Sequence, residues 1–253
     1  MVFTISSLSK GTTMDALVGG ANAILLLFTL LSLAGAGVIA WIATRKGRRS
    51  IARMVLGAAA ILGAAYAGGV IAASASSTEQ TLPAGETKWF CGFYLDCHLG
   101  MSVDRTETVT SVQTAAGPVN ANGVFYIVSL RLHNSAKNPS IDMTLYQPVA
   151  TIVDAAGRKY PRATAVETSV GGTESRPAPL PRIAKVGHQP MFATIVFDLP
   201  ADVQQPRLLV TEGWVVDRMI ELALINDENS IFHQKSLLAL NGSTQRTALQ
   251  FAQ

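Results

Sequence analysis

Two long uncharged runs open this chain: 29 residues from Ala16 to Thr44 and 25 from Met54 to Thr78. A helix needs about 20 mostly apolar residues to cross roughly 30 Å of hydrocarbon, because it satisfies its backbone polar groups internally where no water is available. The pattern predicts transmembrane helices over residues 16–44 and 54–75. The short connector 45–53 carries Arg45, Lys46, Arg48, Arg49 and Arg53, and short loops dense in Lys and Arg are retained in the cytoplasm. The tail 1–15 and everything from Ser76 onward are therefore expected on the opposite, extracytoplasmic side. Arg48 to Arg53 followed by Met54 to Ala72 and Ala73-Ser74-Ala75 also has the layout of a secretory signal. The two readings differ on cleavage and agree that Ser76 onward crosses the membrane.

Beyond the second run the period changes. Residues 76–87 are polar and punctuated by Pro83 and Gly85, which reads as a linker. From there to Gln253 the pattern is β-rich. Val124, Tyr126, Val128, Leu130 and Leu132 alternate with Phe125, Ile127, Ser129, Arg131 and His133, so the first set can face a core. Further strands are expected at Val149 to Val153, Met191 to Leu199 and Leu208 to Thr211, with Asp154 to Gly157 and Pro200 to Asp202 as turns. Gly171 to Pro190 holds Pro177, Pro179, Pro181 and Pro190, which predicts an exposed loop or an edge. Val215 to Ile225 allows a short helix or a strand pair. The fold class is a membrane-anchored all-β protein, two transmembrane helices followed by a sandwich over 88–253.

Charge narrows the partners. The chain carries a net charge of +3, yet from Ser76 onward 14 Lys and Arg face 16 Asp and Glu. The basic surplus belongs to the connector, whereas a nucleic-acid binder concentrates it on the folded domain. No nucleic acid is expected. Neither span contains His, Asp, Glu, Lys or Arg, the groups that proton relays, ion paths and haem ligation use at membrane depth.

Within the second span Ala60, Ala64 and Gly68 recur every four residues, with Gly57, Gly63 and Gly69 adding small surfaces. Small side chains let helix backbones approach closely in lipid. The stripe predicts packing against Ala34 to Ala40 of the first span or against other integral membrane subunits.

The two cysteines, Cys91 and Cys97, lie in Trp89-Phe-Cys-Gly-Phe-Tyr-Leu-Asp-Cys-His98. An oxidising compartment favours a disulfide between them. A c-type haem site needs two residues between its cysteines, and zinc would need a fourth ligand from His133, His188 or His233. No cofactor or metal is expected. The chain holds no Gly-x-Ser-x-Gly elbow, phosphate-cradling Gly-x-x-x-x-Gly-Lys or His-Glu-x-x-His. Asp227-Glu228 reads as a solvated turn rather than a catalytic pair, His98 and His233 as ordinary histidines rather than pH sensors, and Asn241-Gly-Ser243 as a glycosylation acceptor only in a eukaryotic secretory host.

Three pieces carry a resemblance: Val124-Phe-Tyr-Ile-Val-Ser-Leu-Arg-Leu-His-Asn134, Asp154-Ala-Ala-Gly-Arg-Lys-Tyr160, and Val196-Phe-Asp-Leu-Pro200 followed by Pro206-Arg-Leu-Leu-Val210. Together they resemble bacterial telokin-like, immunoglobulin-like extracytoplasmic domains across roughly Ser102 to Glu212. The resemblance implies an immunoglobulin-like sandwich and transfers no catalytic motif. The expected function is that of a non-enzymatic accessory or scaffold subunit of a larger membrane complex, respiratory or photosynthetic for example, in the inner membrane with its sandwich in the periplasm or outside the cell. The alternative is an independent envelope protein that binds a ligand or senses envelope state.

Closing the short loop between Cys91 and Cys97 removes about 2.4 kcal/mol of unfolded-chain entropy. Cys91→Ser is therefore expected to lower thermal stability without preventing membrane insertion. A melting curve unchanged by reducing agent would reject the bridge.

Overall fold

The computed structural model describes residues 11–90, 98–138, 140–172, 176–225, 227–240 and 244–245. Cys91, Cys97 and the Asn241-Gly-Ser243 acceptor lie outside the described residues. Those described form two compact units, one of residues 11–78 and 216–234, the other of residues 79–90, 98–215 and 235–245.

The first unit contains α1 (Gly11–Arg45) and α2 (Arg49–Ala75). Gly47, at φ +71°, makes the turn between them, a conformation open to glycine at little cost. The inward faces repeat every three or four residues: Thr29, Leu33, Ala36, Ala40 and Ala43 on α1, and Ala52, Val55, Ala59, Gly63 and Tyr66 on α2 are buried or half-buried. Ala40, Ala43 and Ala52 form a tight cluster with Val55 beside the turn. Thr29 donates its hydroxyl hydrogen to Leu25 O at 2.8 Å, which satisfies this polar group within its own helix.

Of the two partners expected for Ala60, Ala64 and Gly68, the first span is not the one they meet. All three are exposed, and a Cβ at Gly68 or Gly57 would meet nothing within 4 Å. The facing surfaces follow a repeat near 3.5 residues, the antiparallel helix-pair spacing. A strict four-residue repeat drifts off that seam, and this one runs along a face turned away from it. Of the glycines singled out, Gly63 does approach α1, with Leu33 Cδ2 at 4.0 Å from its Cβ position.

The second unit contains the strands β1 (Gln80–Leu82), β2 (Lys88–Phe90), β3 (Leu99–Thr114), β4 (Gly117–Asn134), β5 (Met143–Tyr146), β6 (Val149–Val153) and β7 (Lys159–Pro161). After helix α3 (Thr164–Val170) come β8 (Ile183–Val186), β9 (Met191–Leu199) and β10 (Arg207–Thr211). Helix α4 (Val215–Glu221) lies, from Val216 on, in the stretch belonging to the first unit, and β11 (Ser236–Ala239) and β12 (Thr244–Gln245) follow in the second. One sheet has the order β1-β11-β10-β6-β7, the other β12-β3-β4-β9 with β2 also on β3, and β5 pairs with β8. The result is a β-sandwich.

Its core comes from the alternation in β4. Val128, Leu130 and Leu132 are buried against Ile152 of β6, Leu208 and Val210 of β10, and Leu238 of β11. The opposite set is not a solvent face. Phe125 and Ile127 join Val112, Val170 and Val196 in a second cluster under α3, so the middle of β4 is buried on both sides as well as paired along both edges. Gly123 has a local reason: a Cβ there would stand 2.4 Å from Ala201 N and 2.7 Å from Leu199 O.

Strands β6 and β9 match the spans expected from the sequence, and β10 begins one residue earlier, at Arg207. Within the expected linker, Gln80–Leu82 pairs in parallel with Ser236–Leu238. The proline-rich stretch also contributes to the core, since Leu180, Ala184 and Val186 are buried in it. Its prolines flank β8 rather than interrupt it, leaving Ile183–Val186 free to pair with β5.

Enlarging the helix seam is expected to destabilise the hairpin where enlarging its outer face is not. Ala52→Leu should cost about 1–3 kcal/mol through overpacking, whereas Ala60→Leu should leave the thermal midpoint of the purified chain in detergent unchanged. Equal losses from the two substitutions would overturn the assignment of faces.

Candidate functional site

Three buried carboxylates of the sandwich, Asp154, Glu167 and Glu107, are held by nearby donors. Asp154 Oδ1 accepts from Ala156 N at 2.9 Å and Arg158 N at 2.8 Å, while Oδ2 accepts from Arg158 Nε at 2.6 Å and Tyr160 OH at 3.1 Å. Burial pushes this carboxyl up, but the hydrogen bonds from Arg158 and Tyr160 and the Arg158 charge outweigh it and hold the group below its ordinary value. Arg158 is pushed up in turn by its bonds to Asp154 and Asp202. Glu167 of α3 accepts from Arg162 Nε and Nη2, at 3.1 and 2.6 Å, and from Val196 N at 3.1 Å, so one carboxylate ties α3 to β9. Glu107 meets Arg176 at 2.7 Å and Arg105 at 3.3 Å. Held in this way, the three carboxylates act as struts between neighbouring segments.

The residues singled out in the sequence are dispersed. Asp227 Oδ1 accepts from Asn229 N at 2.7 Å and forms a turn. His233 Nδ1 lies 2.7 Å from Gln234 O, and the His98 carbonyl accepts from Ser135 N. The connector residues Arg45, Lys46, Arg48, Arg49 and Arg53 are exposed, and the Arg45 guanidinium lies 5.4 Å from the Trp41 ring centroid. Among the described residues no three or more His, Cys, Asp and Glu side chains come together as a metal group. Sequence reasoning missed the buried Arg162–Glu167 pair, whose five-residue spacing matches no recognisable motif. The Asp154 network was legible only as a turn.

The feature that does stand out is the outer surface of the hairpin. Ile24, Leu27, Phe28, Leu31 and Trp41 on α1, and Met54, Leu56, Ile61 and Ile71 on α2, are exposed. Contiguous apolar surface on this scale marks contact with a partner or a membrane. Residues 21–45 and 49–75 are long and apolar enough to cross a bilayer. Helices of this kind near an amino terminus serve as a membrane anchor or an export signal. The exposed small residues Ala60, Ala64 and Gly68 lie within this surface.

His133 gives the sandwich a pH-dependent element. Its ring stands edge-on to Trp89 at 5.1 Å, and burial, then the Arg131 charge, lowers its pKa from the ordinary 6.5. A histidine whose folded pKa is depressed contributes stability that is complete above its unfolded value and lost as pH falls from there through the folded value. The thermal midpoint is therefore expected to fall below about pH 6.5, and His133→Gln should make that decline shallower. An identical pH profile in the variant would remove His133 from the account.

No family model matches the sequence, and no curated protein matches it. Among solved structures, the chain is similar to a secreted protein from Mycobacterium tuberculosis, with 12% identity over 65% of this chain and 99% of that one and a TM-score of 0.38. An uncharacterized β-sandwich protein from Clostridium difficile 630 matches with 8% identity over 66% of this chain and 97% of that one, at a TM-score of 0.34. A conserved hypothetical protein from Bacillus anthracis matches with 16% identity over 49% of this chain and 90% of that one, also at 0.34. The chain's own two sheets and shared core make it a β-sandwich preceded by two apolar helices.

Proposed function

We propose that the chain is a non-enzymatic accessory or scaffold subunit of a larger membrane complex. In this reading α1 and α2 span the inner membrane, the basic connector stays in the cytoplasm, and the sandwich lies in the periplasm or outside the cell. The observation that carries it is the outer face of the hairpin. The two helices satisfy each other along one seam and still leave the small-residue stripe Ala60, Ala64 and Gly68 uncovered. Large apolar side chains suffice to face lipid, whereas exposed Ala and Gly every four residues suit a further helix at close approach. The buried carboxylates Asp154, Glu167 and Glu107, engaged as struts, favour a bracing role over a catalytic one.

An immunoglobulin-like, telokin-like assignment of the sandwich belongs to the same proposal. Its support is the placement of the three sequence pieces. Asn134 ends β4 and donates to Ile141 O at 2.7 Å and Val186 O at 3.1 Å. Asp154 to Tyr160 forms the β6–β7 hairpin, and Phe197 to Pro200 ends β9.

Solubilisation in mild detergent tests the role: co-purification with a large membrane partner is expected, and migration as a lone small particle would overturn it. The combined substitution Ala60→Leu, Ala64→Leu and Gly68→Leu should release that partner while leaving the hairpin folded. Protease added to spheroplasts, whose inner membrane is sealed, should trim the sandwich, and protection there with cleavage in inverted vesicles would reverse the orientation.

A further inference from the structure

The first unit includes a segment far away in sequence, residues 216–234. It is fastened to the two helices by side chains from within them. Asn22 Nδ2 of α1 donates to Ile225 O at 2.7 Å, and Tyr66 OH of α2 donates to Ala223 O at 2.8 Å. Ile225 Cδ1 lies 3.6 Å from the Cβ position of Gly69, and Gln234 N donates to Ser77 Oγ at 2.8 Å. Asn22 and Tyr66 are thus not stray polar groups in apolar helices, because each satisfies a carbonyl of this segment.

The depth of the attachment follows from helix geometry. At about 1.5 Å per residue, Tyr66 stands about 20 Å along α2 from Arg53, the last basic residue of the connector, and Asn22 about 35 Å along α1 from Arg45. With a hydrocarbon layer of about 30 Å, these anchor points straddle its boundary on the side opposite the basic connector. The segment's amphipathicity is turned outward at this level. Glu221 and Leu224 are buried, while Val216, Met219, Leu222, Ile231 and Phe232 are exposed, Met219 at 68% and Phe232 at 70%. Phe232 also adopts φ +67°, a strained conformation for a bulky residue, and such strain persists where the surroundings impose it and clusters at functional positions.

We infer that residues 216–234 form an interfacial anchor, which inserts Met219, Leu222 and Phe232 into the headgroup–acyl boundary of the outer leaflet beside α1 and α2. The occupant is lipid, because this apolar surface belongs to the same compact unit as the two apolar helices and is fastened to them through Asn22, Tyr66 and Gly69, at levels that straddle the boundary. Side chains of this kind bury about 5–10 Å into such a boundary. Arg218, exposed on α4, is free to reach lipid phosphates while its stem lies along the apolar surface. This inference rests on the reading of α1 and α2 as membrane spans.

The test uses the full chain in vesicles of phosphatidylcholine and phosphatidylglycerol. One photoreactive phosphatidylcholine carries its diazirine near the carbonyls and a second carries it at the chain end, with labelled peptides mapped by mass spectrometry. The deep probe is expected on residues 54–66 and the shallow probe on residues 216–234. The double variant Met219→Glu, Phe232→Glu should lower shallow labelling of that segment by about tenfold, the factor set by losing the burial of one such side chain, with labelling of α2 unchanged. Deep labelling of α2 without shallow labelling of 216–234 would overturn the anchor and leave the spans standing. Labelling of neither would overturn the spans and the anchor with them, and labelling that survives the double variant would overturn the role of these side chains.

Discussion

Close approach along a seam of small side chains governs what the helical unit can do. Ala40 and Ala43 against Ala52 and Val55 bring the two backbones together next to a tight glycine turn. Dispersion between closely spaced backbones needs no water to drive it, so the contact holds in hydrocarbon as well as in a protein interior. Because that seam consumes one face of each helix, it also determines which residues are left outside. The outward arrangement of Ile61, Leu56 and the Ala60 stripe is a consequence of how the inner faces meet.

In the sandwich the corresponding constraint is the burial of the middle of β4 on both faces and along both edges. It pairs with β3 and β9 along its edges, one face closes the main core and the other is covered by α3. A strand so enclosed cannot slip in register without exposing Phe125 and Ile127 on one side or Leu130 and Leu132 on the other. The Arg162–Glu167 pair supports the same arrangement by holding α3 to the β9 backbone through Val196 N. This ion pair thus serves placement.

Legibility from the sequence followed the regularity of the pattern. The charge-free runs, the alternation in β4 and the turn-bounded strands β6 and β9 stand in the sequence much as they do in the structure. Strand β3 did not declare itself, although it is 16 residues long. It carries register shifts between Val103 and Arg105 and between Val109 and Ser111, each of which breaks the alternation, and it buries Thr106 and Glu107 where apolar residues would be expected. The short strands β1, β5, β8 and β11 have too few residues for a period to show. On the candidate surface, the Ala60 stripe is visible in the sequence but its neighbour is not, because spacing shows that small residues share a face without showing which face. The partnership of Asn22 and Tyr66 with Ile225 and Ala223 could not be read locally, since the paired residues stand 203 and 157 positions apart.

The parallel pairing of β1 with β11 has a kinetic consequence. Gln80–Leu82 emerges from the ribosome directly after α2, yet its hydrogen-bonding partners begin at Ser236, and the nearby bond from Lys88 Nζ to Ser236 O spans 148 positions. During synthesis that first strand must wait, without its β11 neighbour, until Ser236 to Leu238 have been made. Completion of the sheet is thereby a late event in folding, delayed by the entropy of closing so long a loop. Its short length and the polar Gln80 and Thr81 limit what an unpaired edge can recruit in the interval.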